Sequence, residues 1–177
     1  MSRQYALNDS SVVVVVGSGA GGGTVSNELA QKGIDVVCLE AGKHLSIGDF
    51  VNDPGVMDAK LGWHDPRKGA PLWLCKTVGG TSVRWAGITP RFQAHEFRSL
   101  STYGAMDDTT LLDWPLTLEE LAPYYDRAED KMGVSGTHGI PPSAETNAYK
   151  LLKAGARKMG YREYTSKRTA INPVARD

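Results

Sequence analysis

The stretch VVVVVGSGAGGG, residues 12–23, decides how the rest of the chain is read. Five branched apolar residues closed by glycine are the pattern of a strand buried on both faces of a parallel sheet. The glycines that follow leave the backbone bare, so an approaching group can reach amide N–H directly. Gly17, Gly19 and Gly22 fill the three glycine positions of G-x-G-x-x-G. The first permits a tight turn, the second lets a pyrophosphate come close, and the third lets helix pack on strand. Residues 21–32 read as that helix, with Val25 and Leu29 on one face and Gly33 as its stop. A second buried strand, DVVCLE at residues 35–40, completes a βαβ unit.

Amides at a helix start, together with the helix dipole, stabilise an anion without any lysine. Gly17, Ser18, Gly19, Ala20, Gly21 and Gly22 are therefore candidate contacts for a dinucleotide. Glu40, at the end of the second strand, and Ala41 beside it are candidates for the adenosine end. The Glu40 carboxylate would accept hydrogen bonds from ribose hydroxyls and would repel a ribose phosphate, which disfavours NADP. On these residues alone, NAD and FAD both stay open.

The 177 residues suit one soluble domain, and 20 basic residues balance 20 acidic ones. No global field draws in nucleic acid or anionic lipid, so neither is an expected partner. The apolar run at residue 12 is too short to span a membrane and lacks the flanks of a signal peptide. Cys38 in an apolar run and Cys75 in a loop read as two free thiols, which makes the cytoplasm the default compartment. His44, His64, His95 and His138 show no metal-ligand spacing, and no metal site is expected.

Residues 41–76 lose all period and read as loop. KTVGGTSVRWAGITPRF, residues 76–92, carries a double glycine that divides short extended pieces. Residues 118–132 are helical in pattern, with Leu121, Tyr125, Ala128 and Met132 on one face. Thr117 and Glu120 form a capping box and Gly133 stops that helix, while Pro123 predicts a start or kink near itself. A last helix covers residues 147–159.

The segments at 12–42, 76–92 and 113–136, in that order, resemble the glucose–methanol–choline (GMC) oxidoreductases. The likeness is to the bacterial branch with the gluconate and fructose dehydrogenase flavoprotein subunits. It implies an α/β fold, a Rossmann-like FAD-binding domain. Residues 12–40 would be its ADP-binding unit, 41–92 its flavin-contacting loops and 113–160 a helical segment. The resemblance also implies that Gly79, Gly80, Thr81, Ser82, Trp85, Ala86 and Gly87 contact the flavin. Residues without Cβ followed by hydroxyls suit that task, and Trp85 offers an apolar face with an N–H donor. Some relatives tether FAD through a histidine near this segment. Arg84 stands in that neighbourhood here, so FAD is expected to be noncovalent, with Arg84 near an anionic group. Residues 41–75 would fold as a cover over the flavin, packed by Trp63 and Trp73. Tyr124 and Tyr125 are expected as core or rim aromatics.

By the same likeness, the enzyme would oxidise the CH–OH group of an alcohol, sugar or sugar acid. Hydride would pass to the flavin and a proton to a histidine near the family's C-terminus. No histidine here matches that motif, so no catalytic residue is assigned and the substrate domain is absent. The expectation is an N-terminal fragment, or a truncated product, of a larger two-domain flavoprotein. A cytochrome- or quinone-linked subunit would accept the electrons, and export as a folded, membrane-associated complex fits some relatives. Two other readings use the same residues. In an NAD-dependent short-chain dehydrogenase, Tyr149 would be the acid/base and Lys153 would lower its pKa. In a non-catalytic remnant or partner module, the glycine motif would bind flavin or nothing.

Overall fold

The computed structural model describes residues 4–64, 71–162 and 168–171. The chain divides into two compact units, Met1–Trp85 and Ala86–Asp177.

In the first unit, β1 (Val12–Val16) enters the glycine turn, α1 (Ala20–Gln31) leaves it, and β2 (Asp35–Leu39) returns parallel to β1. Val12 pairs with Asp35 and Val16 with Leu39. Parallel neighbours need a crossover, and α1 supplies it. This is the Rossmann-like βαβ unit expected from the sequence. Gly17 turns the chain at φ +90°, a backbone conformation that side chains rarely adopt. Gly22 lets the helix lie down: a Cβ there would stand 1.9 Å from the Gly17 carbonyl oxygen and 3.2 Å from Val15 Cγ1.

One expectation is corrected. β1 is not buried on both faces: Val14 and Val16 are 55% and 83% exposed, and Leu39 in β2 is 54% exposed. Side chains alternate along a strand, and α1 approaches β1 at Val15, which is half-buried, while Val13 on the same face is 38% exposed. Among the described residues the sheet has two strands, and the face with Val14 and Val16 is open.

Residues 41–75, read as loop, hold regular structure. Residues Ile47–Asp49 make a 3-10 turn whose start is closed by a capping box between Ser46 and Asp49. There follow α2 (Pro54–Leu61), β3 (Gly62–His64) and β4 (Pro71–Cys75), with β3 and β4 antiparallel. Their sequences show little period because α2 has two turns and the hairpin carries a register shift at Gly62/Trp63. Met57 and Leu61, four apart on α2, are core residues at 7% and 1% exposure. Cys75 ends β4 instead of lying in a loop, and burial pushes its thiol pKa up. The side chains of Trp63 and Trp73 lie outside the described residues. After β4, the buried Thr77 hydroxyl donates to the Lys43 carbonyl at 2.7 Å, and Val78 N donates to the same oxygen at 3.0 Å.

The second unit contains α3 (Ser99–Tyr103), α4 (Leu118–Met132) and α5 (Asn147–Lys158). The capping box forms as expected: Thr117 Oγ1 accepts from Glu120 N and Glu120 Oε2 accepts from Thr117 N. It fixes the helix start at Leu118, so Pro123 lies inside α4 rather than at its beginning. Of the four residues that share a face by spacing, Leu121 and Tyr125 are half-buried. Ala128 and Met132 are exposed, while Glu129 is buried at 3%. Arg91 Nε and Nη2 donate to the two oxygens of Glu129 at 2.8 and 2.6 Å, and Arg168 Nη1 donates to Oε1 at 2.9 Å. Those guanidinium groups hold the Glu129 carboxyl below its ordinary range. Arg91 also lies over the half-buried Tyr125 ring, 5.4 Å from its centre, whereas Tyr124 is 68% exposed. Phe92, Phe97 and Trp114 meet edge to face at 5.9–6.4 Å around the buried Phe97.

The packing at the first turn gives a direct test. Gly22→Ala pushes a methyl into backbone that cannot rotate away, and it should destabilise the chain by about 3 kcal/mol. Gly21→Ala meets nothing within 4 Å, and should stabilise by roughly 0.5–1 kcal/mol. Urea denaturation of the two variants checks this, and equal effects would contradict the close approach of α1 to β1.

Candidate functional site

The first glycine turn opens a helix whose first amides have no side-chain cap. Gly19 is the N-cap of α1, offers no capping side chain, and is followed by a first turn with no acidic residue. The partial positive charge there has no carboxylate partner within that turn. A Cβ at Gly17 or Gly21 would meet nothing within 4 Å, so the backbone faces open space. These features fit a bound phosphate group held by backbone amides.

The second glycine motif differs locally from the sequence expectation. Gly79 and Gly80 do not separate extended pieces. They open a 3-10 helix, Gly80–Arg84, with φ of +90° and +57°. Those two left-handed residues swing the chain back onto the first turn. A Cβ on Gly80 would stand 2.9 Å from Gly19 Cα, so the two turns meet backbone to backbone.

Ser18 joins them. Its Oγ accepts from Gly79 N at 2.9 Å and donates to Glu40 Oε2 at 2.7 Å. Ser18 N donates to the same carboxylate oxygen at 2.9 Å, and Gly42 N donates to Oε1 at 2.7 Å. The Ser18 amide, then its hydroxyl, then the Gly42 amide hold the Glu40 pKa down to about 2. Glu40 is thus an oriented anion at neutral pH. Beside it, Ala41, Gly42, Lys43, Leu61, Lys76 and Thr77 line a cleft of about 330 Å³. Gly42 packs against the backbone of residues 76–77, where a Cβ would lie 2.1 Å from Thr77 N.

Other expected residues have local partners. Thr81 Oγ1 accepts from Cys75 N at 3.3 Å, fastening the 3-10 helix to the end of β4. The Ser82 carbonyl accepts from Trp85 N at 3.3 Å. Arg84 does meet an anionic group, the carboxylate of Asp58 on α2. Trp85 is 46% exposed. Ala86 and Gly87 belong to the second unit, where Gly87 is buried at φ +71° and its carbonyl accepts from Ala170 N at 2.7 Å.

Tyr149 and Lys153 do not form an acid/base dyad of the short-chain dehydrogenase kind. The Lys153 ammonium is given to Glu145 at 2.8 Å, which raises its pKa, and it lies 6.0 Å from the centre of the Tyr149 ring. The alternating strands and helices that such a fold needs between residues 41 and 145 are absent among the described residues. Sequence reading missed a cluster of Asp126, Glu129 and His138, whose ligand atoms lie within 4.8 Å of one another. Both carboxylates are committed to Arg91, so the cluster is an ion-pair network. Its members are scattered in sequence, and no local signal marks them.

Residues 15–64 match the model of the NAD(P)-binding Rossmann-like domain. The chain is 35% identical to a 2-methyl-1,2-propanediol dehydrogenase of Mycolicibacterium austroafricanum, over 75% of this chain and 26% of that protein. It is 32% identical to a paromamine 6'-oxidase of Streptomyces fradiae, over 86% of this chain and 29% of the relative. Over 78 residues it is 54% identical to an uncharacterized GMC-type oxidoreductase of Mycobacterium tuberculosis, covering 40% of this chain and 12% of the other. The chain therefore spans less than a third of the length of these relatives.

The Glu40 geometry predicts a pH response. Its folded pKa lies below the ordinary value of 4.5, so its hydrogen bonds stabilise the turn fully above that pH. They are lost as pH falls from 4.5 through about 2. The Glu40 carboxyl ¹³C shift should titrate near the lower value, and a midpoint near 4.5 would contradict the bonding.

Proposed function

Because the chain belongs to the glucose–methanol–choline oxidoreductases, we propose that it forms the ADP-binding part of an FAD-dependent enzyme. That enzyme oxidises the CH–OH group of an alcohol, sugar or sugar acid. The observation that carries this reading is the meeting of two glycine turns, 61 residues apart, across the Ser18 hydroxyl. One turn alone fits any dinucleotide. A second bare turn beside it gives the same ligand a further backbone contact, as a flavin dinucleotide needs.

In this reading the amides of residues 19–22 hold the pyrophosphate, while those of Gly17 and Ser18 are bonded to Leu39 O and Glu40. Glu40 and Ala41 receive the adenosine ribose, and the ionised Glu40 rejects a phosphorylated one. Gly79, Gly80, Thr81, Ser82 and Trp85 lie toward the flavin ring, with Ala86 and Gly87 continuing that segment. When bound, the flavin supplies the hydride acceptor for the substrate carbon. The chain's own residues bind and orient it. None of the 177 residues is assigned as the base that takes the hydroxyl proton. Arg84, paired with Asp58, stands where some relatives carry a tethering histidine, which supports a noncovalent FAD. Residues 12–40, 41–92 and 113–160 divide the work as ADP-binding unit, flavin-contacting loops and helical support. Electrons would leave to a cytochrome- or quinone-linked acceptor subunit.

Ultrafiltration of the purified chain with excess FAD should retain flavin with the protein. Binding should be weak, because apolar faces such as that of Val14 and Val16 are open. Acid precipitation should then release all yellow colour into the supernatant. Retention of NAD without any retention of FAD would overturn the flavin reading. Colour staying with the pellet would overturn the noncovalent one.

A further inference from the structure

We propose that Ser18 is the positioning residue that couples the two ends of this site, holding Glu40 with its hydroxyl proton and the Gly79 amide with its lone pair. The inference rests on the reading above only for the identity of the ligand.

The direction of each bond is fixed by chemistry. Ionised Glu40 can only accept, and the Gly79 amide can only donate. Ser18 Oγ, with one proton and two lone pairs, is the group between them that does both. Reversing either bond would break it, so the relay has one polarity. Its two partners lie 22 residues downstream at the end of β2 and 61 residues downstream in the second glycine turn. The hydroxyl thus ties the ribose end of the site to the turn proposed for the flavin.

A simple helix-capping role does not describe this serine. The N-cap of α1 is Gly19, without a side-chain bond, and Ser18 Oγ points its bonds away from the helix amides. Glycine or alanine at position 18 would keep the amide bond to Glu40 and lose both hydroxyl bonds. Threonine would keep all three. Without the hydroxyl, Glu40 keeps the Ser18 and Gly42 amides but loses its link to the second turn, and residues 79–80 lose a tether to the first turn.

Two measurements on the purified chain test this. In the ligand-free protein at neutral pH, the Gly79 amide should exchange with solvent about tenfold faster in Ser18→Ala than in wild type, and Ser18→Thr should match wild type. Equal exchange in Ser18→Ala, or a Gly79 amide already unprotected in wild type, would overturn the proposal. FAD is then titrated into wild type, Ser18→Ala, Glu40→Gln and the double variant, with amide shifts as the readout. Ser18→Ala should weaken binding about tenfold, and the double variant should stay within about threefold of Glu40→Gln. Losses that multiply in the double variant would show that Ser18 acts independently of Glu40, against the proposal. Wild type that binds no FAD would sink the cofactor reading, while the exchange measurement would still decide the role of Ser18.

Discussion

The structure of the first unit depends on the close approach of Gly19 and Gly80. The approach needs a bare residue at position 80: a methyl there would stand 2.9 Å from Gly19 Cα, whereas one on Gly19 would lie at an ordinary 4.0 Å from Gly80 Cα. The approach brings together two segments that are far apart in sequence. It needs left-handed φ at Gly79 and Gly80, a turn at Gly17 that is also left-handed, and a polar bond to hold the pair. The Ser18 hydroxyl gives that bond. Around this contact lie the N-terminus of α1, the oriented Glu40 and the 3-10 helix.

Burial contributes less than the sequence suggests. The valines of β1 read as a core strand, yet Val14 and Val16 face outward, and among the described residues the fully buried side chains are few, Leu61, Thr77, Phe97, Val134 and Ser135 among them. A βαβ unit with one helix covers one sheet face, and the other must find a partner to gain the stabilisation of burial, roughly 1.5–3 kcal/mol per large apolar side chain. The second unit finds part of its cohesion in charge. Glu129 is buried against two arginines, and removing Arg91 would leave a desolvated carboxylate with one partner.

The sequence was most legible where structure is local. Val12–Val16, α1 and β2 follow from apolar runs and glycine stops, α4 from the Thr117–Glu120 box, and α5 lies within the helix expected over residues 147–159. It was least legible where elements are short or where distant partners decide. α2 has eight residues, β3 has three, and the hairpin carries a register shift, so none shows a readable period. The inward face of α4 is chosen by Arg91, 38 residues upstream of Glu129, and no helical pattern contains that information. At the candidate site, the glycine turn and the Glu40 strand end were readable as local structure because their spacing is itself the signal. The bond from Ser18 to Gly79 was not, since a serine between glycines has no pattern that names a partner 61 residues away.

The central claim is that both glycine turns grip one ligand. Amide chemical shifts followed through an FAD titration of the purified chain test it most directly. The account predicts that amides of residues 17–22 and of residues 79–82 move together, along one binding curve. Movement confined to either turn, or two curves with separate midpoints, would contradict it.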